Sequence, residues 1–478
     1  MTSSLSESVN PNSQATNKPT YTVRFQSQGL NSLVENNEAT VYVFAYCNPN
    51  QQIMDMFLEN DFTPKATVSE DWANQVLNVA AASATSVETS IWQPNHFLMT
   101  NSAESDPVTI PALPALLANH NNVNNPLDLG IVEVERAAAR FDFAATTTEA
   151  GVNTYTVKDA VTELPVANVV IDALALNNMA KEFYALPRVS ADGTMTGATL
   201  LGRETPSNWV VSPYAAQKAA ADFKASTFAD GKYLFPFPGY DLTAQNYDFT
   251  PVSTILGGTE DKAEQWANPD NMDYRIWTYA TENTIPALNS MQVGITTGVI
   301  FRAELQALAD VEGNDLAANL KTAMQNKKVL YTYDGRLYGD RAALEAAANE
   351  VPGSSFQAAY QRAFVDANMT AGDLTQSVDG FGIYRPTTDG KYYMYYFYEN
   401  RHNDNGNNSV HGVMEFATVR NNVYKLSIDN ILAFGHPTND KDDPDPENPD
   451  DPDENPEVYF KVSCRVLPWV VRVNKISF

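Results

Sequence analysis

The run DKDDPDPENPDDPDENPE, residues 440–457, constrains the fold more than any other stretch of the chain. It holds ten acids against the single Lys441, with five prolines among them. Proline fixes φ and removes a donor, and like charges repel, so the run predicts an extended, solvated spacer. At ~3.1 Å per residue, a spacer of this length reaches roughly 55 Å. The globular body therefore closes before it, at Gly435 and Pro437. Residues 458–478 are attached to that body only by a tether.

This terminal segment is strand-like. Val458, Phe460, Val462, Cys464 and Val466 alternate with Tyr459, Lys461, Ser463, Arg465 and Leu467. This is the period-2 pattern of a strand with one apolar face. Pro468 interrupts it, since proline cannot donate to an interior ladder. Trp469, Val471 and Val473 resume in the opposite phase. A lone strand of this kind is unstable in water and has to pair with a sheet. Two readings are open. The tail folds back as an edge strand of its own body, for which a short loop would suffice. Alternatively it adds to a sheet of another copy, gaining main-chain hydrogen bonds and side-chain pockets. Repeated head to tail without ring closure, the second arrangement gives a filament.

The body reads as mainly β, with 23 Tyr, 22 Phe and 44% apolar residues in 478, enough for two to three domains. Residues 1–19 are polar and read as a flexible N-terminus. Tyr21, Val23 and Phe25 mark a first half-buried strand, and Thr40–Tyr46 a second. Glu70–Ala84 predicts a helix with Trp72, Val76, Leu77 and Ala80 on one stripe. Gly130–Arg136 and Ala139–Phe143 read as strands, and the polar stretch after them places a domain boundary near residue 150. The organisation expected is an N-terminal domain over 20–150, a second over 151–437 with helical and loop insertions, a linker over 438–457, and the terminal strand 458–478. In the second domain, 169–174, 294–301 and 419–428 read as strands, and 302–325 and 340–350 as helices. Tyr392–Tyr398 lacks clean alternation and reads as a strand buried on both faces. Five Asp-Gly pairs, Asp334-Gly335 among them, supply turn signals.

A net charge of −27 argues against nucleic acid and anionic lipid, which need clustered Lys and Arg. No run of about 18 apolar residues occurs, and the polar N-terminus lacks a signal-peptide core. Two cysteines, Cys47 and Cys464, make no disulfide framework or metal motif. The five histidines form no HExxH, and there is no nucleophile elbow, Walker loop or GxGxxG. His402 with Asp404, and His411 with Glu415, read as solvated loop groups rather than acid–base pairs. Asp404-Asn405-Gly406 lacks the register and terminal Glu of an EF-hand. No enzyme activity, metal or cofactor is expected.

A resemblance adds to this reading. Arg401–Gly406, Met414-Glu415-Phe416 and Val419–Tyr424, with the acidic linker and Val466-Leu467-Pro468-Trp469, resemble the C-terminal hallmark of the Bacteroidales fimbrilins. The likeness is to the major-subunit family of the short (minor) fimbriae, assembled as type V pili. Glu135–Arg140 resembles the strand that closes that family's N-terminal domain. The resemblance implies two transthyretin-like Greek-key β-sandwich domains, export as a lipoprotein precursor through the outer membrane, and removal of a first strand at the cell surface. A neighbour's C-terminal strand then fills the groove. On this chain the displaced strand would carry Tyr21, Val23 and Phe25. The donor would carry Val458, Phe460, Val462, Cys464, Val466, Trp469, Val471 and Val473. Partners would be other copies, anchor and tip subunits, and host or bacterial surface receptors, in support of adhesion and biofilm formation. The family's arginine after the first strand is missing, since Arg24 lies inside it and the next is Arg136. Either cleavage uses other chemistry, or residues 1–35 are already the mature N-terminus. Rival readings are an accessory or anchor subunit of the same fimbrium, and a monomeric surface carbohydrate-binding or hydrolytic protein with a folded-back tail.

Overall fold

The computed structural model describes residues 34–61, 63–78, 97–120, 125–177, 179–180, 182–191, 198–201, 209–213, 234–235, 240–241, 246–247, 249–257, 272–284, 297–374, 380–403, 406, 412, 414–437, 461–462 and 470–477. The candidate first strand 21–27 lies outside them. The fold is mainly β, with antiparallel sheets and few helices, as the composition implies. No helix among the described residues is long and apolar enough to cross a membrane.

The N-terminal part carries β1 (Ala39–Val41), β2 (Tyr46–Cys47), α1 (Gln51–Phe57), β3 (Met99–Asn101), β4 (Val108–Ile110) and β5 (Val134–Arg136). β1 pairs with β4, and β3 with both β2 and β5, all antiparallel. The continuous strand expected over 40–46 is split in two. Across the break the buried Asn101 side chain replaces the ladder: its Oδ1 accepts from Ala45 N at 2.7 Å and its Nδ2 donates to Val43 O at 3.0 Å. The helix expected over 70–84 is not found in its described part. Residues 72–74 make one 3₁₀ turn, and Val76–Asn78 is a strand paired with Glu182–Tyr184. Leu77 is buried opposite Phe183, so tertiary pairing overrides the helical stripe.

Downstream strands are β6 (Ala138–Phe143), β7 (Thr154–Lys158), β8 (Pro165–Asn177), β9 (Arg275–Thr281), β10 (Gly298–Ala307), β11 (Leu330–Tyr333), β12 (Arg336–Tyr338), β13 (Phe381–Tyr384), β14 (Tyr392–Glu399), β15 (Asn422–Asn430), β16 (Lys461–Val462) and β17 (Val470–Ser477). One five-stranded sheet has the order β9-β6-β15-β17-β16. The other runs β7-β8-β10-β14, with Thr250–Pro251 also pairing on β8. The two faces share one core: Phe141, Phe143, Tyr424, Leu426 and Ile428 from the first meet Tyr155, Val169, Phe301, Leu305, Met394 and Tyr396 from the second. The Phe143 and Phe301 rings lie 6.3 Å apart, and Tyr155 OH donates across the core to Ile428 O at 2.7 Å. This is a β-sandwich. β6 belongs to it, so the sheet joins residues on both sides of the boundary expected near 150.

The helix expected from residue 302 begins only at 315. Residues 302–307 extend β10, which pairs with β8 on one side and β14 on the other. Phe301, Ala303 and Leu305 are buried, while Arg302, Glu304 and Gln306 point away. That period of two outweighs the helical propensity of Ala, Glu and Leu. β14 alternates too: Tyr392, Met394, Tyr396 and Tyr398 enter the core. Tyr393, Tyr395 and Phe397 form a half-buried outer face, where Arg302 stacks 4.6 Å from the Tyr393 ring and pairs with Asp172 at 2.7 Å. It is therefore not buried equally on both faces.

Between the sheet neighbours β10 and β14 an insertion builds its own core around Tyr331, Leu344, Tyr360, Phe364 and Phe381. It holds α2 (Asp315–Gln325), α3 (Arg341–Glu350), α4 (Ser355–Tyr360) and the sheet β12-β11-β13. Asn314, Asp340 and Ser354 cap the three helices through side-chain oxygens. Asp334 and Gly335, with φ of 47° and 72°, form the β11–β12 turn, as the Asp-Gly signal predicts.

Candidate polymerisation site

The segments Glu135–Arg140 and Val419–Tyr424, far apart in sequence, meet at one junction. Where β5 passes into β6, Ala137, Ala138 and Ala139 are all buried. Against them lies the Arg420-Asn421 turn that starts β15. Asn421 has a φ of 58°, a left-handed conformation that asparagine tolerates. Its N–H donates to Ala138 O at 2.9 Å, and its Oδ1 accepts from Arg136 N and Nη1, both at 3.4 Å. β15 then runs parallel to β6 from the pair Val423–Arg140 onward.

Arg420 is fully buried and pairs in bidentate fashion with fully buried Glu282, Nε to Oε2 at 2.9 Å and Nη2 to Oε1 at 3.1 Å. Its remaining donors reach Tyr184 O at 2.6 Å and Ala185 O at 3.3 Å. Such a charge is tolerable in a core only because paired and hydrogen-bonded. Half-buried Glu135 on β5 lies within electrostatic reach of the pair. Burial pushes its carboxyl up to about 8; the Arg420 charge opposes the rise and the Glu282 charge adds to it.

Close by, Arg401 Nη1 holds buried Glu415 at 2.9 Å and stacks 4.6 Å from the Phe416 ring. His402 Nδ1 lies 3.0 Å from Tyr424 OH, which also accepts from Val419 N at 2.9 Å. His402 and Glu415 thus brace the approach to β15. Glu415 is therefore a buried, paired group and not the solvated loop group expected; Asp404 and His411 lie outside the described residues. No group of three or more His, Cys, Asp or Glu among the described residues is placed to hold a metal ion.

β15 is a nine-residue strand, and Asn422 through Ile428 are buried. Tyr424, Leu426 and Ile428 enter the sandwich core. On the opposite face Lys425 stands in register with Asp142, itself paired with Arg140 at 2.9 Å, and lies 4.9 Å from the Tyr274 ring. One edge of β15 takes β6. The other takes β17, also parallel, in a register from Asn422–Val470 to Asn430–Ser477. β16 pairs antiparallel with β17 through Lys461–Ser477 and Val462–Ile476. The proposed donor residues Val462, Val471 and Val473 thus lie on β16 and β17. Val458, Phe460, Cys464, Val466 and Trp469 lie outside the described residues, as do Tyr21, Val23 and Phe25. Sequence reasoning missed Glu282, which sits in no motif and is marked only by its position opposite Arg420.

Residues 390–475 match the family model described as major fimbrial subunit protein type IV, fimbrillin, C-terminal. This chain carries a fimbrillin C-terminal region. The match begins just before β14, takes in the Arg401–Glu415 and Arg420 clusters and β15, and ends inside β17. It takes in the sandwich strands β14 and β15, the acidic run and most of the tail, and supports a fimbrial structural subunit. No curated protein matches the chain.

Proposed function

We propose that this fimbrillin polymerises by intersubunit β-strand complementation, with residues 458–478 as the donor strand and other copies of the chain as its principal partners. The fimbrium so formed stands on the cell surface after export through the outer membrane, joins anchor and tip subunits, and supports adhesion and biofilm formation through surface receptors. Tyr21, Val23 and Phe25 are the candidate first strand whose displacement makes room for a donor. One observation carries the reading. A strand-forming terminus lies beyond an acidic, proline-rich tether far longer than a hairpin connection needs. Strand addition then supplies main-chain hydrogen bonds, and alternate side chains supply specificity.

The pairing of β17 with β15 inside one chain favours a second reading, in which the tail permanently closes its own sheet. Val462→Asp separates the two. Under complementation the charge enters an apolar groove of the next subunit, so fibres fail while the monomer stays folded. Fibres of normal length and abundance from this variant would refute the donor assignment.

A further inference from the structure

We propose that Glu135 is a proton-operated latch between the N-terminal sheet β2-β3-β5 and the C-terminal sandwich, closed while its carboxyl is protonated and released when it ionises. The latch is independent of how subunits polymerise. Three observations carry it.

First, both parts of the chain converge on Arg420. This residue precedes β15 and pairs with Glu282, the residue that follows β9. It also donates to Tyr184 O and Ala185 O. That segment is tied to the N-terminal part, because Glu182–Tyr184 pairs with Val76–Asn78 and Ala185 N donates to Gln75 O at 3.1 Å. Glu135 approaches the same guanidinium from β5, one residue before Arg136 engages Asn421. The chain runs from β5 straight into β6 at this point, so a shift of the N-terminal sheet would draw Glu135 away from Arg420.

Second, one cation serves two carboxyls. A guanidinium has five N–H groups. On Arg420, two go to Glu282, one to Tyr184 O and one to Ala185 O, which leaves at most one for Glu135. The other neighbours of Glu135 do not make up the difference. Thr100, in register with it on β3, is buried and neutral. Arg136, next along the strand, lies on the opposite face by alternation, and its Nη1 meets Asn421. The charges that act on the Glu135 carboxyl are those of Arg420 and Glu282. Two carboxylates beside one guanidinium in a dry site repel, and the less well bonded of them keeps its proton.

Third, the carboxyl end of Glu135 is enclosed although the residue as a whole is half-buried, and burial lifts it to about 8. Closing the junction therefore takes up a proton. The closed form is favoured below that value and loses ground as pH rises through it, by up to about tenfold per pH unit.

Hydrogen exchange of the full chain from about pH 6 to about pH 9, read by mass spectrometry, tests the latch. Glu135→Gln mimics the neutral acid, so the ratio of wild-type to variant rates cancels the intrinsic pH dependence of exchange. Peptides covering Ala137, Ala185 and Asn421 report on it, since the N–H groups of these residues bond at the junction. Their ratio should stay near one up to about pH 7 and climb toward about tenfold per pH unit above about pH 8, while amides of the β8–β10 ladder exchange far more slowly. Glu282→Gln leaves Arg420 to Glu135 and should move the climb to lower pH. A flat ratio at the junction, or junction and β8–β10 amides exchanging at one rate at every pH, would overturn the latch. A climb unmoved in Glu282→Gln would overturn the sharing of Arg420 on which it depends.

Discussion

Replacing Arg420 by methionine keeps most of the side-chain volume and removes the charge. Both members of the Arg420–Glu282 pair are fully buried, so the variant leaves the Glu282 carboxylate without its cation in a dry core. Removing one partner of a buried pair costs roughly 3–5 kcal/mol, because the surviving charge is no longer compensated. Tyr184 O and Ala185 O lose donors at the same time. These terms overlap, so a total near the top of that range is expected rather than their sum. Against an ordinary domain stability of about 5–15 kcal/mol, the loss is large. Urea unfolding followed by tryptophan emission measures it, since Trp277 packs against Phe141 of β6. The midpoint should fall with the slope unchanged. The double variant Arg420→Met/Glu282→Leu should recover most of the loss, because an apolar replacement of a buried pair is often neutral. A single-variant loss below about 1 kcal/mol, or no recovery in the double, would refute the reading of Arg420 and Glu282 as a mutually compensated buried pair.

Three further outcomes are expected. Glu135 is raised from its ordinary 4.5 to about 8, so between those values the folded state holds a proton that the unfolded state has lost. Stability should therefore fall as pH rises through that window, and Glu135→Gln should flatten the slope there while changing little below pH ~4.5; an unchanged slope would discount the burial of this carboxyl. Asn101→Ala removes both bonds that bridge the β1–β2 break and should cost about 1–3 kcal/mol, with faster hydrogen exchange at Ala45 as the local readout. Gly335→Val should destabilise the β11–β12 hairpin by at least about 1 kcal/mol, since φ of 72° disfavours a β-branched residue, and calorimetry checks it.

How far the fold was legible depended on whether local pattern and tertiary pairing agreed. The helix at 340–350 was legible because Asp340 caps an Ala-rich run whose Leu344 and Ala348 share one buried face. The segment 302–307 was misread because its residue types favour helix while its spacing favours strand. The spacing wins, since β10 is paired on both sides. Trp72, Val76 and Leu77 failed for a related reason: a helical stripe is also what a turn followed by a short strand produces when one aromatic packs locally, as Trp72 does on Phe44 and Phe57. The Arg420-Asn421-Asn422 stretch was visible as a feature. Its partner Glu282 was not, because a contact across 138 residues leaves no trace in composition or period. In the tail, Lys461–Val462 and Val470–Ser477 are strand, as the alternation predicts; the rest of the alternating stretch lies outside the described residues. The edge beside β15 was not legible, because a parallel pairing leaves no turn signal to announce it.

Under the strand-complementation proposal, the terminal strand builds the fimbrium. Negative-stain microscopy of surface filaments from cells carrying the chain with and without residues 458–478 tests it most directly, with circular dichroism of the purified truncated chain as the check on folding. Filaments from the full chain, together with a folded but unpolymerised truncated chain, are the predicted result. Filaments of the same abundance and dimensions from the truncated chain would contradict the account and assign the tail to closing its own sheet.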